Sequence, residues 1–160
     1  MKRLFTVVIF LFFSTIISAQ KPVVFDSYSA LEKSILSDKN TTYIVNFWAT
    51  WCAPCVKELP YFEKLNSENK TVKVVLVSLD FKDQFEKRLI PFLKKKAIKS
   101  EVVLLTDKEY NAWLPQVDKE WSGSIPATLI IKNGKKVFVE KEFASYEELR
   151  DYVDKNTSQM

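Results

Sequence analysis

The stretch Trp48-Ala49-Thr50-Trp51-Cys52-Ala53-Pro54-Cys55 lies between two patterned segments. Before it, Tyr43 to Phe47 (YIVNF) is a compact apolar run of the kind that forms a buried strand. After it, Val56, Leu59, Phe62 and Leu65 recur every three residues, as on one face of a helix. The two cysteines therefore stand at a strand-to-helix junction. Three apart at a helix start, they face each other one turn apart with about 5–6 Å between Cβ atoms, within reach of a low-strain disulfide. Pro54 suits a first helical turn, where its missing N–H would have had no partner. Cys52 falls where unpaired backbone N–H groups and the positive end of the helix dipole stabilise a thiolate, which makes it the expected attacking sulfur. Cys55, inside the helix, is the expected resolving thiol. A purely structural disulfide closing so short a loop would remove little unfolded-state entropy. A metal half-site would need ligands from a second chain. Redox use is favoured over both.

Working outward, Val23 to Phe25 reads as a short first strand, and Ser27 or Asp26 offers a cap for a helix carrying Leu31, Ile35 and Leu36. Val72 to Leu79 (VKVVLVSL) is a further buried strand. Phe85, Leu89, Phe92 and Leu93 repeat at helical spacing, and Pro91 within them predicts a kink or two shorter helices. Val102 to Leu105 reads as a strand, after which Asp107 is expected to cap a helix that stops near Pro115. Ala127 to Ile131 and Val137 to Glu142, joined through Asn133-Gly134, predict a β-hairpin with a type I′ turn. Ser145 is placed to cap a last helix with Glu147 and Glu148 in its first turn and Tyr146, Leu149, Tyr152 and Val153 on its apolar side. Strands alternating with helices, then a hairpin and a helix, predict an α/β chain with a central mixed sheet and helices on both faces. No internal domain boundary is expected.

Composition narrows the chemistry. The 160 residues contain no histidine, which excludes Ser-His-Asp and Cys-His catalysis, HExxH zinc proteases and His-ligated haem. Two glycines, Gly123 and Gly134, cannot supply a P-loop or a GxGxxG turn. Two cysteines cannot close a four-ligand structural zinc site, and neither a metal nor a bound cofactor is expected. The net charge of +4 owes two units to Lys2 and Arg3. Lys94 to Lys96, the one dense basic run, reads as a solvated helix face rather than a nucleic-acid site, because no aromatic ladder accompanies it.

Lys2 and Arg3 precede an apolar run from Leu4 to Ile17, followed by Ser18, Ala19 and a polar Gln20. A short basic stretch, an apolar stretch and a small-residue exit form a secretory signal over residues 1–19, leaving 20–160 as the expected folded unit. The run is shorter than the roughly 20 residues a spanning helix needs. An exported chain, periplasmic or otherwise extracytoplasmic, is the expectation, tethered if the signal is not removed. In such a compartment a cysteine pair is oxidised unless something reduces it.

NFWATWCAPCVKELP together with SIPAT, seventy-odd residues later, resembles the thioredoxin superfamily, and most closely its exported TlpA/ResA-like thiol-disulfide oxidoreductases. That group includes reductases serving cytochrome c maturation. The resemblance implies a thioredoxin-like three-layer fold with an inserted βα element, part of the segment from Phe81 to Leu105. It matches Cys52 to the nucleophile, Cys55 to its buried partner and Pro126 to a proline held in cis beside the disulfide, where Ile125 offers backbone groups to an extended substrate. Asn46 stands where thioredoxin keeps a buried aspartate, and asparagine cannot take a proton. Glu58, three residues past Cys55 and on the same helix face, matches a glutamate near the active site of the group, implying that it tunes or relays the proton of Cys55. From spacing alone, a solvated carboxylate beside Lys57 is an equal reading.

Trp51, Ala53, Pro54, Ile125 and Pro126 are the candidate substrate-contacting residues, with Trp51 shielding the disulfide. Trp48 reads equally as core or rim, while Trp113 and Trp121 are assigned to packing. No histidine lies between the sulfurs, so the thiolate has less help and a reducing rather than strongly oxidising protein is expected, kept reduced by a membrane thiol donor. Its substrates would be exported proteins with exposed cysteines. Two rivals remain. A thiol peroxidase of the peroxiredoxin type would need a T-x-x-C setting, whereas Thr50 lies only two before Cys52. A non-catalytic binding module would capture a metal or a client at the CxxC without turnover; missing His and Met near the pair argues against a copper chaperone, since Met1 and Met160 are the only methionines.

Overall fold

The computed structural model describes residues 21–35, 38 and 40–160; the signal assigned to residues 1–19 and the helical position Leu36 lie outside the described residues. Strands β1 (Val23–Phe25), β2 (Thr42–Trp48), β3 (Val72–Ser78), β4 (Glu101–Leu105), β5 (Ala127–Lys132) and β6 (Lys135–Glu140) alternate with helices α1 (Tyr28–Ile35), α2 (Ala53–Glu68), α3 (Ile90–Lys96), α4 (Tyr110–Val117) and α5 (Tyr146–Ser158). The sheet order is β1-β4-β3-β2-β5-β6, with β1, β4, β3 and β2 parallel and β5 and β6 antiparallel to their neighbours. This is the expected mixed sheet. The segment from Phe81 to Leu105, where the resemblance implies an inserted element, ends in α3 and β4, and β4 lies between β1 and β3.

β2 is buried along its whole length, because the sheet is covered on both faces. Alternation decides which face each residue joins. Ile44, Val74, Leu76, Leu104 and Ile130 pack with Leu59, Phe62 and Leu65 of α2 and with Leu149 and Val153 of α5. Tyr43, Val45, Phe47, Val75, Val77, Leu129 and Ile131 pack on the other face with Leu31 of α1 and Trp113 and Val117 of α4. The helices α2, α3 and α5 thus form one layer, and α1 and α4 the other. Trp113 and Trp121 are core, as assigned from sequence, and so is Trp48.

Most local signals hold. Asn133 (φ 52°) and Gly134 (φ 76°) take the paired positive φ of a type I′ turn between β5 and β6. Ser145 caps α5, its Oγ accepting the Glu148 N–H at 3.2 Å. The helical pattern around Pro91 divides: a 3-10 turn (Lys82–Gln84) and a π-helical turn (Phe85–Leu89) precede α3, which puts Pro91 in a first helical turn where its missing N–H costs little.

Two expectations are corrected. Asp107 does not cap α4. Its carboxylate accepts the N–H groups of Glu109 (3.0 Å) and Tyr28 (2.9 Å), an Asx turn that ties the loop after β4 to the start of α1. The helix begins at Tyr110 and runs through Pro115 to Val117, since Trp113 and Val117, four apart, anchor it in the core. Tertiary burial outweighs the one backbone bond that the proline removes.

Ala97 ends α3 in the left-handed region (φ 51°), with the Ile98 N–H reaching the Leu93 carbonyl at 3.1 Å. Glycine is the residue this cap favours. Ala97→Gly is expected to stabilise the protein by about 0.5–1 kcal/mol, read as a higher urea midpoint at unchanged m-value.

Candidate active site

The site forms at the carboxyl ends of β2 and β3, where the chain leaves the sheet. Trp48 is the last residue of β2, and its carbonyl accepts the Leu79 N–H at 2.8 Å, extending the pairing with β3 by one bond. Ala49 to Cys52 then make a turn closed by the Cys52 N–H on the Ala49 carbonyl at 3.1 Å. Cys52 is the N-cap of α2, and its Sγ accepts the Cys55 N–H at 3.3 Å. Cys52 and Cys55 are joined as a disulfide with their Cα atoms 5.3 Å apart. Cys52 keeps 6% exposure and Cys55 none, so Cys55 is closed to solvent and Cys52 is the residue of the pair that reaches the surface.

A second loop completes the wall. The Ile125–Pro126 peptide bond is cis, and the Ile125 carbonyl oxygen lies 3.7 Å from Cys52 Sγ. Pro126 is buried and Ile125 partly so, immediately before β5 pairs with β2. Ala53 and Pro54 are exposed in the first turn of α2, and Trp51 stands 51% exposed next to Cys52. Trp51, Ala53 and Pro54 thus lie beside Cys52 on one segment, and the Ile125–Pro126 loop meets Cys52 from another.

Three residues past Cys55 on α2 lies a buried carboxyl. Glu58 has no solvent exposure; its Oε1 accepts from Asn46 Nδ2 and its Oε2 from the Phe143 N–H, both at 2.9 Å. The solvated reading of Glu58 is therefore incorrect: the adjacent Lys57 points outward and pairs with Glu142 at 2.7 Å. Burial pushes the Glu58 carboxyl up to about 7, against the opposing pull of the Phe143 and Asn46 hydrogen bonds. Asn46 Oδ1 is buried without a partner. A half-turn of that amide replaces a donor by an acceptor facing Glu58, so one side chain suits both protonation states of the carboxyl.

A buried acid that the sequence reading passed over sits on the other side of the turn. Asp80, 2% exposed, follows β3 and accepts from Thr50 and Ser78. Its signal was its position: a carboxylate directly after an apolar parallel strand, at the sheet end where loops gather. Phe81 beside it is 62% exposed. Among the described residues, no cluster of three or more His, Cys, Asp or Glu side chains is arranged to hold a metal ion.

The chain belongs to the AhpC/TSA family, whose model matches residues 21–139. Its similarity to known proteins runs to the thiol-disulfide oxidoreductase ResA of Bacillus thuringiensis subsp. konkukian, 33% identical over 122 residues that cover 74% of this chain and 65% of that protein. The chain thus spans about two thirds of the length of such curated relatives. The thioredoxin-like protein YneN of Bacillus subtilis is 43% identical over a shorter stretch, 38% of this chain and 37% of that one. Among solved structures, the thioredoxin-related protein of Neisseria meningitidis serogroup B superposes with a TM-score of 0.63 at 27% identity, covering 76% of this chain and 89% of that one. StoA of Bacillus subtilis superposes at 0.57 with 24% identity, over 72% and 84%, and shows the same fold. The resemblance to the TlpA/ResA-like group and the thioredoxin-like three-layer fold are both borne out.

Proposed function

We propose that the protein is an exported thiol-disulfide oxidoreductase that reduces disulfides in extracytoplasmic proteins through Cys52 and Cys55. The observation that carries the reading is a disulfide at the N-terminus of α2, with Cys52 at the surface and Cys55 fully buried, beside the carbonyl of Ile125. In the reduced protein, the Cys52 thiolate attacks a substrate disulfide; one substrate sulfur leaves as a thiolate and takes up a proton, and the other stays bonded to Cys52. Cys55 then loses its proton and attacks Cys52 Sγ, which closes the internal disulfide and releases the second substrate sulfur. Two electrons pass from the protein to its client, and no bound cofactor is needed. A membrane thiol donor returns the pair to the reduced state.

Glu58 is assigned the proton traffic of Cys55. It lies one helical turn on, buried, with an ionisation near neutrality that lets it accept or return a proton. Trp51, Ala53 and Pro54 supply the contact surface for the client, and Ile125 its backbone partner, with Pro126 fixing that loop. The missing imidazole between the sulfurs supports reduction as the working direction. Apocytochrome c, exported with its cysteines exposed, is a client of suitable chemistry. The basic-apolar-small order of residues 1–19 supports export. No helix among the described residues is long and apolar enough to cross a membrane.

The test is a trap in the native cell. Cys55→Ser, made in the full chain with residues 1–19 intact, is expected to accumulate mixed disulfides with exported cysteine-containing proteins, released by dithiothreitol. Absence of such adducts removes the reading. Hydroperoxide turnover by the wild-type chain at a rate above its disulfide exchange would replace it with the thiol peroxidase.

A further inference from the structure

Asp80 is the most heavily hydrogen-bonded buried acid outside the Cys55–Glu58 helix face. Its Oδ1 accepts the Thr50 hydroxyl at 2.5 Å; its Oδ2 accepts the Thr50 N–H at 3.0 Å and the Ser78 hydroxyl at 2.8 Å. Its own N–H returns to Ser78 Oγ at 3.1 Å. Burying a carboxylate is costly unless donors surround it, and here each oxygen has at least one. Every donor comes from β3 or from the turn that leads to Cys52.

Thr50 is the second residue of the turn closed by Cys52 N–H on Ala49 carbonyl, so its own N–H has no partner within the turn. Asp80 supplies one and holds the side chain as well. With the Leu79 N–H on the Trp48 carbonyl, the segment just after β3 grips the chain at residues 48 and 50, the latter two residues before Cys52. From this geometry we infer that Asp80 and Thr50 are positioning residues of the redox centre: the clasp holds Cys52 Sγ at the N-terminus of α2, against the Cys55 N–H. The inference rests on the oxidoreductase reading above. A thiolate gains from the helix N-terminus only while it stays there. A loose turn lets the sulfur swing away, with its pKa drifting toward that of a free thiol and its reactivity at neutral pH falling. The clasp also sets where Trp51, the next residue, stands on the client-facing rim.

Thr50 is the informative position, since changing it leaves the Asp80 side chain in place with its Ser78 hydrogen bond, whereas Asp80→Asn would alter the bonds to Thr50 and Ser78 together. The experiment measures iodoacetamide alkylation of Cys52 against pH in the reduced full-length protein, for wild type, Thr50→Val and Thr50→Ser, with circular dichroism and thermal midpoint alongside. Thr50→Val is expected to keep the native spectrum, to lower the alkylation rate at pH 7 at least fivefold, and to move the midpoint of the profile upward. Thr50→Ser, which keeps the hydroxyl, is expected to return the wild-type profile. Should Thr50→Val not fold, Thr50→Ala carries the same expectation. If the valine or alanine variant folds and its profile overlays that of a reactive wild type, the clasp has no positioning role and the oxidoreductase reading stands. If wild-type Cys52 itself reacts as an ordinary thiol, that reading fails and the clasp inference falls with it.

Discussion

Replacing Cys52 by serine is expected to abolish disulfide exchange, lowering the rate on a model protein disulfide at least a thousandfold. Cys55→Ser keeps the first attack and loses turnover. The asymmetry comes from burial. Cys52 alone keeps a sliver of exposed surface, and it alone occupies the N-cap with Sγ facing a helical N–H. A serine hydroxyl is not ionised at neutral pH and cannot stand in as nucleophile. Cys55, fully buried, meets only a sulfur already bound to Cys52. Both variants are expected to remain folded. A disulfide between residues three apart closes so short a loop that the chain-entropy account credits it with about 2 kcal/mol, less than the stability of an ordinary domain. Insulin reduction measures the first variant, and single-turnover thiol release the second; substantial turnover by Cys52→Ser contradicts the assignment of the attacking sulfur.

The second large effect concerns pH. The Glu58 carboxyl titrates near 7 in the folded protein and near 4.5 in an ordinary setting, so the folded state holds its proton more tightly than the unfolded one. Its contribution to stability is therefore complete below about pH 4.5 and is lost as pH rises through 7. By pH 8 the buried anion costs roughly 3 kcal/mol relative to the protonated form. Glu58→Gln removes the ionisation. Urea denaturation is expected to give similar stabilities for the two proteins at pH 5, and the variant the more stable at pH 8.5. Exchange moves the other way: with no carboxylate to take the Cys55 proton, resolution of a mixed disulfide is expected to slow tenfold or more, and its rate to lose the inflection near neutral pH. A pH profile of resolution that keeps that inflection in Glu58→Gln would refute the proton-relay role.

Short-range chemistry wrote most of this protein plainly. Cys52, Pro54 and Cys55 announced a helix start because their geometry is local, and Asn133-Gly134 announced a hairpin for the same reason. The apolar runs of β2 and β3 were legible because both faces of those strands are buried. What stayed hidden depends on contacts between distant segments. Spacing left Glu58 equally a partner of Cys55 or a solvated carboxylate, since its environment is set by Asn46 and by the Phe143 backbone, 85 residues away. Asp80 carried no motif, since its partner Thr50 lies 30 residues earlier. Asp107 looked like a cap because a helical segment follows it; the competing N–H of Tyr28 comes from the start of α1, 79 residues earlier in the chain. Pro115 looked like a stop because local rules cannot weigh what Trp113 and Val117 gain by burial.

The four tryptophans divide by sheet face in a way that serves the experimenter. Trp48 packs in the same layer as the two sulfurs, and Trp51 adjoins Cys52 in sequence. Trp113 and Trp121 meet edge-on, 5.5 Å apart, in the opposite layer, with Phe47 and Tyr28 around them. Opening the bridge is expected to change the emission of Trp48 and Trp51, whereas Trp113 and Trp121, packed on the opposite face, are expected to answer to unfolding. The molecule carries its own voltmeter and its own thermometer, on two sides of one sheet.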